Sequence, residues 1–233
     1  ACLLLVANFN QQLADAVLTT TSNHNFSIII GGDHSIAIGT WIRIIKGLNA
    51  QEKFELIWID AHLDAHTYED SPSKAYHGMP VAALLGYGEE ELINIFNFKP
   101  KINPKHLVYI GARSFEENEK NFLEQLGVKI YYIEEIKQRG LAQVIKEVIT
   151  HLENLVKHFG VSIDLDCFEA HQAPGTGYAV ENGIDFQEFY NCANLLYKHP
   201  KLKGLEIVEF NPELDVDNKT LKILITLIEQ LLK

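Results

Sequence analysis

The sequence predicts one doubly wound α/β domain with a parallel sheet, spanning residues 1–233. Three observations predict it. Six short runs rich in Ile, Val and Tyr are nearly continuous in hydrophobicity, the pattern of strands covered on both faces. Amphipathic stretches of helical period alternate with them, and strand–helix–strand order means crossover units and parallel pairing. No linker, low-complexity segment or internal repeat interrupts the alternation.

The first strand is SIIIGG (27–32), and a helix follows over 35–48. FELIWIDA (54–61) is the second strand. HLVYIGA (106–112) is the third and leads into a helix over 116–125. KIYYIEE (129–135) is the fourth, ahead of a helix over 137–158. GVSIDLD (160–166) is the fifth, ahead of a helix over 185–198, and GLEIVEF (204–210) is the sixth. The last helix, 216–232, has apolar residues at helical spacing and Asp217 as its candidate cap. The chain starts ACLLLVANFN, with no initiator Met and no basic leader region. It begins inside an apolar run, so a preceding segment is expected.

Composition excludes several classes. The formal net charge of -11 argues against nucleic acid or an anionic membrane as the main partner. No apolar run reaches membrane-spanning length. Cys2, Cys167 and Cys192 are odd in number and far apart, which suggests no disulfide framework and a reducing, cytoplasmic location.

Ligands of such sheets bind beyond the carboxyl ends of the strands. The first strand ends in GGDHS and the second runs into DAHLD. The fifth finishes with Asp164 and Asp166, and the sixth with Glu209 before NP. A lone Asp-x-His is an ordinary loop. Four strand ends converging are not, because so many buried carboxylates need cations to neutralise them. The alternation of Asp60, His62 and Asp64 turns all three toward one mouth. His34, Asp60, His62, Asp64, Asp164 and Asp166 form an oxygen-rich set with imidazole and no Cys, which suits Mn²⁺ better than structural zinc. Six donors exceed one four-coordinate ion and suit two metals with a bridging carboxylate. Such a pair makes hydroxide from water at neutral pH.

Five motifs carry a resemblance. GGDHSIAIGT, DAHLD, HGMP, SIDLDCFEAHQAPGTG and EFNP, in that order over about residues 27–212, resemble the arginase/agmatinase ureohydrolases. The resemblance implies a three-layer α/β fold and two Mn²⁺ per chain held by the six residues above, other divalent transition metals being accommodated too. It implies hydrolysis of a guanidino compound, first of all L-arginine to urea and ornithine. Asp64 matches the family's bridging aspartate, which steers the hydroxide. Glu209 matches the glutamate that holds the guanidinium, and His77 the proton-shuttling histidine, a role suited to a group titrating near neutrality. A homo-oligomer, trimer or hexamer, is also implied, as is a further strand ahead of GGDHS that leaves this sheet one strand short.

The loop that reads the substrate's tail departs from the family pattern. His66 stands where arginases carry Asn, and Ser73, Lys74 and Ala75 replace a Ser-Gly-Asn triplet. Glu116 replaces an aspartate that contacts the α-amino group. Lys74 and His66 favour a carboxylate tail; Glu69, Asp70 and Glu116 favour an amine. Formiminoglutamate, agmatine and guanidino acids are therefore alternative substrates. Glu169 and Ala170 replace the family's Asp-Pro, so an adjusted loop is expected there. A catalytically silent metal-binding scaffold is the alternative from another class, and the presence of Asp64, His77 and Glu209 argues against it. The remaining features read blandly. The Gly pair lacks the Lys-Ser/Thr of a phosphate loop, and GTG at 175–177 is a turn at the mouth. Cys167 is a packing residue rather than a nucleophile. Trp41 and Trp58 belong to the core, and His24, His151, His158 and His199 to the surface.

Overall fold

Each apolar run of the sequence becomes a strand. The computed structural model describes residues 2–21, 26–48, 53–97 and 99–233, so His24 lies outside the described residues. The strands are β1 (Ser27–Ile30), β2 (Phe54–Ile59), β3 (Leu107–Ala112), β4 (Lys129–Tyr132), β5 (His158–Asp164) and β6 (Leu202–Val208). They pair in parallel throughout, in the order β1-β6-β5-β2-β3-β4. Helix α1 (Cys2–Thr21) precedes β1, and α2 (Ala37–Gly47) joins β1 to β2. Helices α3 (Pro80–Leu85) and α4 (Glu90–Ile93) lie between β2 and β3, and α5 (Glu117–Gln125) between β3 and β4. Helices α6 (Ile133–Arg139) and α7 (Leu141–Leu155) join β4 to β5, α8 (Phe186–Tyr197) joins β5 to β6, and α9 (Lys219–Leu232) follows β6.

Both faces of the sheet are covered, which is why its strands read as unbroken apolar runs. One core packs Val17, Ile38, Trp41, Leu84 and Leu123 from α1, α2, α3 and α5 against Leu56, Trp58 and Tyr109. The other packs Val144, Ile145, Phe189 and Leu227 from α7, α8 and α9 against Ile57, Ile59, Val161 and Ile163. This is the expected three-layer, doubly wound arrangement. From the central neighbours β2 and β5 the chain winds outward in opposite directions, through β3 and β4 on one side and through β6 on the other. The crevice at such a switch point is where an open α/β sheet binds its ligands.

Trp41, 0 % exposed, shows how tightly one layer sits on the sheet. A Cβ on Gly160 of β5 would meet its ring at 2.1 Å, so only glycine admits the indole there. Trp58 is equally buried, as expected. Of the surface histidines, His151 is exposed, while His158 and His199 are half-buried, and His199 packs its ring 5.3 Å from that of Phe159.

Three local expectations are corrected. The helix expected over 137–158 is two helices, because Gly140 takes φ +84° and donates to the Ile136 carbonyl (2.7 Å), closing α6 before α7 begins. The strand expected to run to 135 stops at Tyr132, and Ile133 already starts α6. Asp217 does not cap α9. Asp215 accepts from the Thr220 and Leu221 amides (3.0 and 3.1 Å), while Asp217 itself has φ +56°. Two short acidic side chains precede this helix, and the loop geometry selects the earlier one.

Glu55 on β2 is fully buried, and its carboxylate oxygens have no hydrogen-bond partner among the described residues. Burial pushes its carboxyl from an ordinary 4.5 up to about 8. Between these values the folded chain keeps a proton that the unfolded chain has released. The stability this group contributes is full at acid pH and is lost as pH rises through that window. Glu55→Gln cannot ionise. Its unfolding midpoint should therefore gain on that of the native chain as pH rises from about 4.5 to 8; parallel midpoints in thermal melts across that range would contradict it.

Candidate active site

Three strand ends supply the centre. β2 delivers Asp60 directly, and the segment 61–66 that follows carries His62 and Asp64; it does not continue the strand alternation expected for these residues, since the chain bends at Ala61 and His62 and Asp64 takes a left-handed φ. This segment is tied to β3: the Arg113 and Ser114 amides donate to the Ala61 carbonyl (2.8 and 2.9 Å), and the Tyr109 hydroxyl donates to that of Leu63 (2.5 Å). Ala61 and Leu63 point into the core at 0 % exposure. β5 delivers Asp164, whose side chain accepts from the Asp166 amide (2.8 Å) and so turns the chain for the second aspartate. His34 comes from the short 3-10 turn after β1, where Asp33 caps by accepting from the Ser35 amide (3.0 Å).

The side chains converge. His34 Nδ1 lies 3.2 Å from Asp60 Oδ2, 3.1 Å from Asp64 Oδ2 and 3.2 Å from Asp164 Oδ2. His62 Nδ1 lies 3.1 Å from Asp166 Oδ2 and 3.5 Å from Asp60 Oδ1. Two potential ion-holding groups result at the strand ends, His34–Asp60–Asp164 and Asp60–His62–Asp166; the residue common to both is Asp60 and not Asp64, the expected bridging aspartate, whose carboxylate faces His34. His34 Nδ1 is buried without a well-formed hydrogen bond, although three carboxylates face it. That arrangement suits a metal better than a proton. Burial alone would drive both imidazoles neutral. The facing carboxylates override it, raising His34 well above its usual value and His62 to about 12. Burial, with the charge of Asp60, pushes Asp64 up to about 7. Protons on the imidazoles do the neutralising that bound cations would do better, so these residues fit a metal site.

A supporting shell, which the sequence reading missed, fixes these ligands. Trp58 is more than core. Its indole stacks on His34 (4.0 Å between centroids, 11° between planes) and donates to Asp60 Oδ2 (2.8 Å). His34 Nε2 meets Ser162 Oγ (2.9 Å), Ser162 donates to Glu206 Oε2 (2.6 Å), and Trp41 donates to the same oxygen (3.0 Å). Such outer partners orient ligand rings. Glu206, a charged residue inside an apolar strand, was the one visible signal for this chain. Arg113 also escaped notice. Its guanidinium donates to the carbonyls of Asp166, Cys167 and Phe168 and to those of Val180 and Glu181 (2.7–3.2 Å), joining the ligand loop to the 178–184 segment.

A cavity of about 270 Å³ opens on the centre. Glu209 and His77 line it beside His62, Asp64, Asp164 and Asp166. Glu209 has φ +64°, and its Oε1 accepts from the His34 amide (2.8 Å). Asp64 has φ +50°. Left-handed non-glycine residues are uncommon, and two of them in one site mark strain held by the surrounding structure. Burial pushes Glu209 up to about 7 and His77 below its usual value. Burial also raises the Cys167 thiol well above its ordinary value, consistent with a packing residue.

His66, Ser73, Glu116 and Glu119 line the same cavity. His66 Nε2 lies 2.8 Å from Glu116 and 3.2 Å from Glu119, and Nδ1 lies 3.3 Å from Asp70. Buried Glu119 was not anticipated. It accepts from the Ala65 amide (3.0 Å) and closes a capping box with Glu116 at the start of α5. Lys74 is not brought into the cavity. Its ammonium donates to the Tyr68 and Glu69 carbonyls (2.6 and 3.0 Å). Glu169, in the altered loop, lies 4.0 Å from Lys137.

Comparison with known proteins agrees with this geometry. The model of the Arginase family matches residues 3–233. The chain belongs to the arginase family. With that membership it is a hydrolase of carbon–nitrogen bonds in linear amidines. The arginase of Bacillus caldovelox is 40% identical over 226 residues, 97% of this chain and 75% of its own length, and its solved structure superposes with a TM-score of 0.93. The Entamoeba histolytica arginase, solved with L-ornithine, is 31% identical, covers 99% of this chain and 77% of its own, and gives 0.90. The formimidoylglutamase of Bacillus subtilis, 24% identical over 96% of this chain and 66% of its own, shares the fold at 0.84. Among the described residues, no helix is long and apolar enough to cross a membrane.

Metal should stabilise this arginase-family fold by mass action. Reloading chelator-treated protein with Mn²⁺ at about 100 times Kd should raise the melting temperature by on the order of 5–10 °C. Asp164→Asn should lose most of that rise. A midpoint indifferent to metal would count against the centre.

Proposed function

We propose that the protein hydrolyses L-arginine to urea and ornithine with two Mn²⁺ per chain. The observation that carries this reading is the shared Asp60: His34, His62 and the carboxylates of Asp64, Asp164 and Asp166 gather about it, and the last three line one cavity with His62, Glu209 and His77. Four carboxylates balance two divalent cations, and an oxygen-rich donor set with imidazole suits manganese. His34, Asp60, Asp64 and Asp164 would hold one ion, and His62 and Asp166 the other, with Asp60 common to both. Bound cations supply the Lewis acidity that activates water as a nucleophile at neutral pH.

The chain's own groups do the rest. A guanidinium is delocalised and cationic, so it must be held in place and then relieved of an amine. Glu209 offers a carboxylate for it; the cation would in turn favour the ionised form that burial opposes. Asp64 accepts a hydrogen bond from the attacking water and aims it. As the carbon–nitrogen bond breaks, the departing amine needs a proton, and His77, half-buried at the cavity wall, is placed to give it. Glu116 receives the α-amino group. With Lys74 folded away, the charged side chains around His66 are three carboxylates, which favours a cationic tail. The free thiols of Cys2, Cys167 and Cys192 support a cytoplasmic enzyme, and we extend the reading to a homo-oligomer.

One observation favours a second reading. The His66 imidazole already engages Glu116 and Glu119, the carboxylates a substrate amine would seek. A guanidino or formimino acid without that amine would leave the pair undisturbed.

Two measurements test these readings. Protein reloaded with Mn²⁺ should release urea from L-arginine, and Asp64→Asn should abolish that release; absence of urea from fully loaded protein would sink the arginine assignment. Glu116→Gln should raise KM for arginine roughly ten-fold or more with kcat little changed, the scale of one charged hydrogen bond. If KM is unmoved, the amine is not read there and the second reading gains.

A further inference from the structure

Tyr178 has no assigned part in the site, yet it lines the catalytic cavity. Its ring stacks on His77 with centroids 4.9 Å apart and planes 26° apart. It also meets the ring of His62 edge-on, at 6.4 Å and 84°. The residue is 57% exposed, so its ring is not in the core for its own burial. His77 sits in a short 3-10 turn, Tyr76–Gly78. No hydrogen bond to its ring is described among the described residues, and the Tyr178 ring is its one described ring partner. An imidazole held by no hydrogen bond turns freely about two side-chain torsions unless packing stops it.

The segment that carries Tyr178 is anchored on both sides. Before it, the Gly175 amide donates to Thr220 Oγ1 (2.7 Å), and the Gly175 carbonyl accepts from the Asn211 amide (2.8 Å). After it, the carbonyls of Val180 and Glu181 accept from the Arg113 guanidinium (2.9 and 3.2 Å). The Nη2 that reaches Val180 also grips the Asp166 carbonyl (2.7 Å). The stacking ring and the ligand loop are therefore fixed to one group.

We propose that Tyr178 is a positioning residue for His77: its ring, face to face with the imidazole, holds the proton donor against the cavity. The inference rests on the reading of His77 as the donor to the departing amine. The role belongs to the ring face and not to the hydroxyl, so phenylalanine fills it.

A double-mutant cycle on the Mn²⁺-loaded enzyme with L-arginine tests it. His77→Asn should lower kcat by roughly 10²–10⁴, the contribution of a positioned acid. Tyr178→Ala should lower kcat roughly ten-fold with a smaller change in KM, and Tyr178→Phe should restore it. In the His77→Asn background Tyr178→Ala should cost nothing further. If His77→Asn leaves kcat intact, the reading of His77 fails and the proposal with it. If His77→Asn is impaired and Tyr178→Ala costs the same in both backgrounds, the proposal alone is overturned. A second readout needs no turnover. In protein loaded with diamagnetic zinc, the His77 ring protons should move downfield in Tyr178→Ala and stay in place in Tyr178→Phe. Unmoved resonances in the Ala variant would overturn the stack.

Discussion

The structure turns on the electrostatics of one crevice. Asp60, Asp64, Asp164 and Asp166 are all less than a tenth exposed, and they meet where β2 and β5 lie side by side. Carboxylates this close repel, and out of water they are costly to ionise. The chain tolerates them because the switch point of a parallel sheet brings adjacent strand ends to one crevice and leaves it open for a cation. The imidazoles of His34 and His62 sit between the carboxylates as partial neutralisers. Much of the surrounding packing serves to keep His34 in line: Trp58 covers one face of its ring, and Ser162 and Glu206 fix the far nitrogen. Even Gly160 belongs to this account. It admits Trp41, whose indole donates to the same Glu206 oxygen.

Much of this was legible in the sequence, for physical reasons. Strands covered on both faces have no polar side to blur them, so all six runs could be read. Strand ends have a fixed direction in parallel sheets, so the polar residues at those ends could be assigned to one edge. What could not be read depends on contacts between distant residues. Arg113 looks like any loop arginine, and only the closed fold shows its guanidinium gathering five carbonyls from residues 166–168 and 180–181. Trp58 read correctly as core, but its second task needs His34 at 4.0 Å. Glu119 reads as a helix surface residue until α5 docks it under His66. Gly140 was a visible break in a long helical period, and the apolar residues on either side masked it.

The two ends of the chemistry are built differently. The residues that fit a metal stand at or just beyond strand ends, in turns and bends pinned by hydrogen bonds. The groups proposed to face the substrate's tail sit on connections. Ser73 lies in the loop between β2 and α3, and Glu116 stands where a loop enters α5. Connections accept substitution at little cost to the core, so tail recognition can drift while the centre stays fixed. His66 is the exception that joins them. It lies two residues beyond Asp64, on the same segment, and its ring reaches Glu116 and Glu119. In the proposed reading, a change at this one position would alter the charge met by the substrate's tail without moving the strand that carries Asp60. The geometry thus separates the question of which bond is broken, answered at the sheet edge, from the question of whose bond it is. In the proposed reading, that second answer depends on how three carboxylates divide their hydrogen bonds between an imidazole and an incoming amine.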